Sequence, residues 1–180
     1  MMPVNTATEY RQVISTCKEL FGKKTRDYGT AWRVLRLPSI TDQIFIKAQR
    51  IRSIQEKGVQ KVNDPVRDEF IGIINYCIIA LIQSELNKST ELELTWEQVE
   101  PLYDDAVNTT FALLENKNHD YGEAWRDMRV SSITDIILMK LLRVKQIENN
   151  DGKTVASEGV RANYQDMINY AVFAMILSAE

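Results

Sequence analysis

KNHDYGEAWRDMRVSSITD, residues 117–135, decides how the rest of the chain is read, because a near copy, KTRDYGTAWRVLRLPSITD at residues 24–42, precedes it by 93 positions. Aligned at that offset, 15 of the 28 positions from Lys24 to Ile51 are identical in the later copy. Chance composition does not produce such a density, so the chain is one unit written twice. The match continues outward more thinly. Tyr10 pairs with Tyr103 at the same offset, and Asn75-Tyr76 pairs with Asn169-Tyr170 at an offset of 94, which places a one-residue insertion between the second and third helices of the later copy.

Each unit is expected to contain three helices and no strands. Val13, Cys17, Leu20 and Phe21 share one face of a first helix over about residues 6–23, with a counterpart over about 100–117 whose first turn accommodates Pro101. Thr95-Trp96-Glu97-Gln98 has capping-box spacing and suggests a further helical turn ahead of that counterpart. Ser39-Ile40-Thr41-Asp42 and Ser132-Ile133-Thr134-Asp135 match a Ser-x-x-Asp capping box and are expected to start the second helices; Gly58 and the turn signal at residues 149–152 are expected to end them. Asp64 and Pro65 open the third helix, and its twin runs from about residue 158 to the end. Both third helices are apolar over more than one stripe, which assigns them to the middle of the structure.

The expected architecture is therefore all-α, with a first repeat over 1–88 and a second over 89–180 joined by the polar linker 87–95. Packing the two broad apolar helices against each other about a pseudo-twofold axis gives one fused unit. Such a chain is already a pseudo-dimer, so a monomer or a homodimer are both open.

Composition narrows the partners. Apolar residues make up 44% and charged residues 26%, and 22 Lys and Arg against 25 Asp and Glu leave a net charge of −3, so there is no overall basic field for nucleic acid or anionic lipid. The apolar run from Phe70 to Ile82 is interrupted by Asn75 and is shorter than the ~20 residues a membrane span needs. MMPVNTATEYRQ at the N-terminus lacks the basic and apolar regions of a secretory signal, and Cys17 and Cys77 sit at apolar helical positions without metal-ligand spacing. These features are those of a cytoplasmic protein with free, buried thiols.

Three recurring clusters could carry chemistry. The first is Lys-x-x-Asp-Tyr-Gly-x-Ala-Trp-Arg-x-x-Arg: Lys24, Asp27, Tyr28, Arg33 and Arg36, repeated as Lys117, Asp120, Tyr121, Arg126 and Arg129. Arg pairs beside a helix start suit a phosphate or carboxylate, since guanidinium forks and free amides both donate to anions; an internal Asp–Arg network explains the same residues. The second is Asp42, Lys47 and Arg50, repeated as Asp135, Lys140 and Arg143, where the two basic residues project from one side of the helix and are expected to contact phosphate. The third is Asn75 and Asn169, each inside an apolar helix and so in need of a partner, either the other asparagine across the axis or a ligand. Carboxylates for Mg²⁺ are sparse. Glu69 and Asp166 are the candidates, and Gly72 stands where the first copy would need its equivalent of Asp166. His119 has no twin, since Arg26 occupies its place, and it reads as a surface turn residue.

Taken together, the Lys-x-x-Asp-Tyr-Gly-x-Ala-Trp loop, the Ser-Ile-Thr-Asp-x-x-x-x-Lys-x-x-Arg helix and the Asn-Tyr helix resemble the bacterial nucleotide-modification-associated domain, type one, over nearly the whole chain and twice. The resemblance implies nucleotide handling, with a nucleotide or phosphate-bearing small molecule as ligand. More distantly, the helical layout is similar to the all-α nucleoside-triphosphate pyrophosphatases, which hold Mg²⁺ on acidic pairs and would make this chain a hydrolase of that kind. This chain departs from their pattern: it has no Glu-x-x-Glu, and Glu69-x-x-Gly72 and Asn163-x-x-Asp166 each lack one ligand. A non-catalytic structural or protein-interaction module built on an Asp/Lys/Arg network is the alternative.

Overall fold

The structure, a computed structural model, describes residues 4–58, 65–154 and 159–179. Among the described residues six α-helices follow one another: α1 (Val4–Tyr28), α2 (Leu37–Lys57), α3 (Pro65–Glu85), α4 (Trp96–Tyr121), α5 (Val130–Asn149) and α6 (Val160–Ser178). A single 3₁₀ turn precedes α2 at Ala31–Val34 and another precedes α5 at Ala124–Asp127. No strand occurs among the described residues, and the protein is an all-α duplication.

α2, α3, α6 and α5 pack in that cyclic order as a ring of four, with α1 and α4 each laid across both α3 and α6. α3 and α6 are buried nearly all round, through Ile73, Ile74, Ile78, Leu81 and Ile82 on one and Met167, Ile168, Val172 and Ile176 on the other. Burying each such side chain contributes roughly 1.5–3 kcal/mol, so these two helices supply much of the driving force for folding. Buried residues from both repeats form one contiguous core. Cys17 and Cys77 lie fully inside it; burial pushes the Cys17 thiol up to about 12 and raises Cys77 as well, so neither is a thiolate near neutral pH.

The pseudo-twofold axis shows in exchanged contacts. Lys145 reaches Asp42 at 3.3 Å, and Arg52, its counterpart, reaches Asp135 at 3.7 Å. Deeper in, Tyr103 donates to Asn75 Oδ1 at 2.8 Å and Tyr10 donates to Asn169 Oδ1 at 2.7 Å, each tyrosine serving the other repeat.

Several expected boundaries differ. α2 and α5 start two residues earlier than the proposed capping boxes, with Arg36 and Arg129 in extended conformation at the N-cap positions. Pro38 already fits the first turn of α2, and Thr41 and Thr134 turn their hydroxyls back onto the carbonyls of Leu37 and Val130. The capping box that does form belongs to α4. Thr95 accepts from the Gln98 amide at 3.2 Å while Gln98 accepts from the Thr95 amide at 2.9 Å, so α4 begins at Trp96 and Pro101 lies inside it. α1 runs on to Tyr28, beyond the expected end near residue 23. The expected cap at Asp64 and the residue Glu158 lie outside the described residues.

Candidate functional site

Where α1 ends, Gly29 adopts φ 62°, and Gly122 adopts φ 63° at the end of α4. A side chain disfavours that backbone, and glycine permits the chain to reverse into the 3₁₀ turn that carries Trp32 or Trp125. The reversal leaves a cleft in each repeat. The first, of about 390 Å³, is walled by Phe21, Tyr28, Trp32 and Tyr76 and lined by Lys24, Lys47, Asp68, Gly72 and Asn75. The second, of about 490 Å³, is the same place in the other repeat, with Lys117, Lys140, Asp166, Asn169, Trp125 and Tyr170. Lysines from two different clusters of the sequence thus meet: Lys24 with Lys47, and Lys117 with Lys140.

Three buried side-chain polar atoms find no hydrogen-bond partner among the described residues, namely Trp32 Nε1, Trp125 Nε1 and Asn118 Oδ1. All three belong to residues that line the clefts. Buried donors and acceptors of this kind cost about 1–3 kcal/mol each when left unsatisfied, and they concentrate where a ligand can satisfy them.

The other recurring charges point elsewhere. Arg33, 8% exposed, donates to the carbonyls of Glu91 and Ser89 at 3.0 and 3.1 Å and to Gln83 Oε1, fastening the linker before α4. Arg126 donates to Glu9 at 2.7 Å and Thr6 at 3.0 Å, holding the start of α1, and lies over the Trp125 ring at 4.5 Å. Each arginine therefore anchors the segment that leads the opposite repeat's first helix, where the sequence suggested a phosphate contact. Asp42 and Asp135 are spent on the cross-repeat pairs with Lys145 and Arg52. Arg50 bonds Glu69 at 2.6 Å. Arg36, Arg129, Asp27, Asp120 and Arg143 are exposed and line neither cleft, and the Tyr121 side chain lies outside the described residues. His119, also exposed, approaches Asp120 at 3.3 Å.

Asn75 and Asn169 are not hydrogen-bonded to each other among the described residues. Besides accepting from the tyrosine of the opposite repeat, Asn75 donates to the Cys17 carbonyl at 3.0 Å and Asn169 to the Thr110 carbonyl at 3.3 Å. Burial raises the Tyr10 and Tyr103 hydroxyls above their ordinary range, so both remain protonated donors. The signal for this arrangement was present in the sequence, since Tyr10 and Tyr103 recur at the same offset as the loops.

The carboxylates do not converge. Glu69 lies between Arg50 at 2.6 Å and Lys47 at 3.6 Å in the first repeat, whereas Asp166 lies between Lys117 at 2.7 Å and Lys140 at 2.8 Å in the second. Each is balanced by cations already, and they belong to different repeats, so the pair does not fit a magnesium site. Among the described residues no group of three His, Cys, Asp or Glu side chains is placed to hold a metal ion. A larger groove of about 540 Å³ between α1 and α4 passes Ser15, Lys18, Gly22 and Trp96 but holds none of the duplicated residues, and Lys18 there is paired with Glu100 and Asp104, both at 2.9 Å. Among the described residues no helix is long and apolar enough to cross a membrane.

No curated protein matches the chain, and no solved structure does, so the expected likeness to the all-α pyrophosphatases finds no support there. One family model, described as nucleotide modification associated domain 1, matches residues 24–84 and again residues 117–177. Each match runs from the lysine at the end of the first helix, through the 3₁₀ turn and the second helix, to the last turns of the third, and so takes in most of one cleft, Phe21 of the first and Leu114 of the second lying just ahead of it. The chain belongs to the nucleotide modification associated domain 1 family, of which it carries two tandem copies.

Proposed function

We propose that the protein binds a nucleotide or a closely related phosphate-bearing small molecule in the cleft formed by the end of α1, the 3₁₀ turn, α2 and α3. The observation that carries this reading is the convergence of Lys24 and Lys47, 23 positions apart in sequence, on one cleft whose walls are Phe21, Tyr28, Trp32 and Tyr76. Ammonium groups serve a phosphate as mobile donors, and aromatic walls with an unpaired indole N–H suit the ring and the polar edge of a base. Lys47 Nζ already sits 5.5 Å from the centre of the Tyr76 ring, held near the cleft by a weak cation–π contact. The family's association with nucleotide modification supports the same ligand class. Binding, rather than metal-assisted hydrolysis, is what the donor set supports, since Glu69 and Asp166 are held apart and paired.

A thermal-shift series with ribo- and deoxyribonucleotides, with and without Mg²⁺, tests the reading. A ligand at 100 times its Kd stabilises by about 2.7 kcal/mol, which for a chain of this size is a rise of roughly 5–10 °C in Tm. Lys47→Ala is expected to remove that rise. If no nucleotide shifts Tm, and Lys47→Ala with Lys140→Ala destabilises the free protein, the charges form a structural network and the alternative reading replaces this one.

A further inference from the structure

The duplication supplies an internal comparison, because the two clefts share their lysines and differ one turn before the asparagine. In α6 that position is Asp166, 6% exposed, with Lys117 on one carboxylate oxygen at 2.7 Å and Lys140 on the other at 2.8 Å. In α3 it is Gly72, and a Cβ added there would come within 2.9 Å of Lys47 Cδ and Cε, so the lysine stem lies where a side chain would stand. Lys24, the twin of Lys117, is exposed and forms no ion pair among the described residues. Lys47 has Glu69 at 3.6 Å, but Arg50 holds that carboxylate more closely at 2.6 Å. Asp68, the carboxylate that does line the first cleft, is exposed in the first turn of α3 and pairs with neither lysine among the described residues.

We infer that the two clefts have diverged in what they accept: the first takes the phosphate of the ligand, while in the second Asp166 occupies the same seat as a resident carboxylate and closes it to anions. This rests on the reading of the first cleft as a phosphate site. An anion entering the second cleft has to break both lysine contacts to Asp166 and leave a buried carboxylate uncompensated. That penalty corresponds to at least about a 100-fold loss of affinity relative to the first cleft. The first cleft has no carboxylate seated between its two lysines: Lys24 forms no ion pair among the described residues, and Lys47 shares Glu69 with Arg50 at the longer distance of 3.6 Å.

Calorimetric titration of the full chain with inorganic pyrophosphate counts the sites. The wild type is expected to bind one pyrophosphate per chain, and Lys24→Ala with Lys47→Ala to bind none, while Lys117→Ala leaves the site intact. Asp166→Gly and Asp166→Asn are expected to bind two; the asparagine variant retains the side-chain volume without the charge, and serves if the glycine variant fails to fold. Gly72→Asp is expected to weaken the first site by about 100-fold, its new carboxylate meeting Lys47 as Asp166 meets Lys140. Two equivalent sites in the wild type, one site lost in Lys117→Ala but kept in the Lys24/Lys47 variant, or a single site in Asp166→Asn would each overturn the divergence and leave phosphate binding standing. No binding in the wild type and in both Asp166 variants would overturn the phosphate reading itself.

Discussion

Tyr10 and Tyr103 each carry a hydroxyl through the core to an asparagine of the opposite repeat, and each asparagine passes its own N–H to a carbonyl of the first helix in its own repeat. Removing one hydroxyl leaves a buried amide oxygen unsatisfied. Tyr103→Phe is therefore expected to lower stability by about 1–3 kcal/mol in urea unfolding, and Tyr10→Phe by a similar amount; a change below about 0.3 kcal/mol in both would show that these bonds do not couple the repeats. The need for a partner at Asn75 and Asn169 was legible from a polar amide in an apolar helix. Its identity was not, because helical periodicity gives the face a residue occupies and is silent on which element of the other repeat covers it. The same limit applies to Arg33 and Arg126, whose recurrence looked functional. A pseudo-twofold fold has to keep its fastenings in both copies just as it keeps its sites, so recurrence alone cannot separate Arg33, which holds the linker, from Lys47, which lines the cleft.

At the scale of elements, helix starts divide the signals that act from those that only match a pattern. Thr95→Ala is expected to cost about 1 kcal/mol, since it opens the reciprocal box at the head of α4, whereas Ser39→Ala is expected to stay within about 0.5 kcal/mol because Ser39 lies inside α2. Chemical denaturation of the two variants side by side separates the outcomes, and a larger loss in Ser39→Ala would contradict this placement of the α2 start. The polar link between α2, α5 and α6 is pH-sensitive. Thr41 donates to Glu148 at 3.0 Å and lies 2.6 Å from the Tyr164 hydroxyl. Burial raises the Glu148 carboxyl above its ordinary range, with Asp42 adding to the rise and the Thr41 bond and Lys145 opposing it. The folded protein thus keeps this proton to higher pH than the unfolded chain does. The stability it contributes is fully present below the ordinary glutamate range and is lost as pH rises through the raised folded value. Glu148→Gln is expected to raise Tm near pH 7 by a few degrees at most, this carboxyl being only partly buried, and to leave it unchanged near pH 4. A larger effect of the substitution at pH 4 than at pH 7 would reverse the sign of this account.

For the whole molecule, the ring of α2, α3, α6 and α5 joins the buried residues of both repeats in one core, and the linker is strapped back onto the first repeat by Arg33 and by Thr30, which accepts from the Leu94 amide at 3.0 Å and donates to the Leu92 carbonyl at 2.6 Å. Unfolding is accordingly expected as one cooperative transition, coincident by far-UV circular dichroism and tryptophan fluorescence; two separated transitions would mean that the repeats are independent domains. The all-helical class, the duplication and the central place of α3 and α6 were legible because hydrophobic pattern and self-similarity determine them directly. The two clefts were legible only in part: Lys24 and Lys47 were both picked out, but as members of separate clusters, since their meeting depends on the reversal at Gly29 and on how α1 crosses α3. The difference between the clefts did leave a trace in Gly72 against Asp166, which the sequence presents as a missing metal ligand and the structure presents as a change of charge beside two lysines. A crystal structure of the protein with a bound nucleoside triphosphate tests the central claim most directly. Phosphate density between Lys24 and Lys47, with the aromatic walls of the first cleft around the base and the Lys117–Asp166–Lys140 bridge intact, is the expected result; phosphates seated outside that cleft, or on Lys117 and Lys140 with the bridge broken, would contradict it.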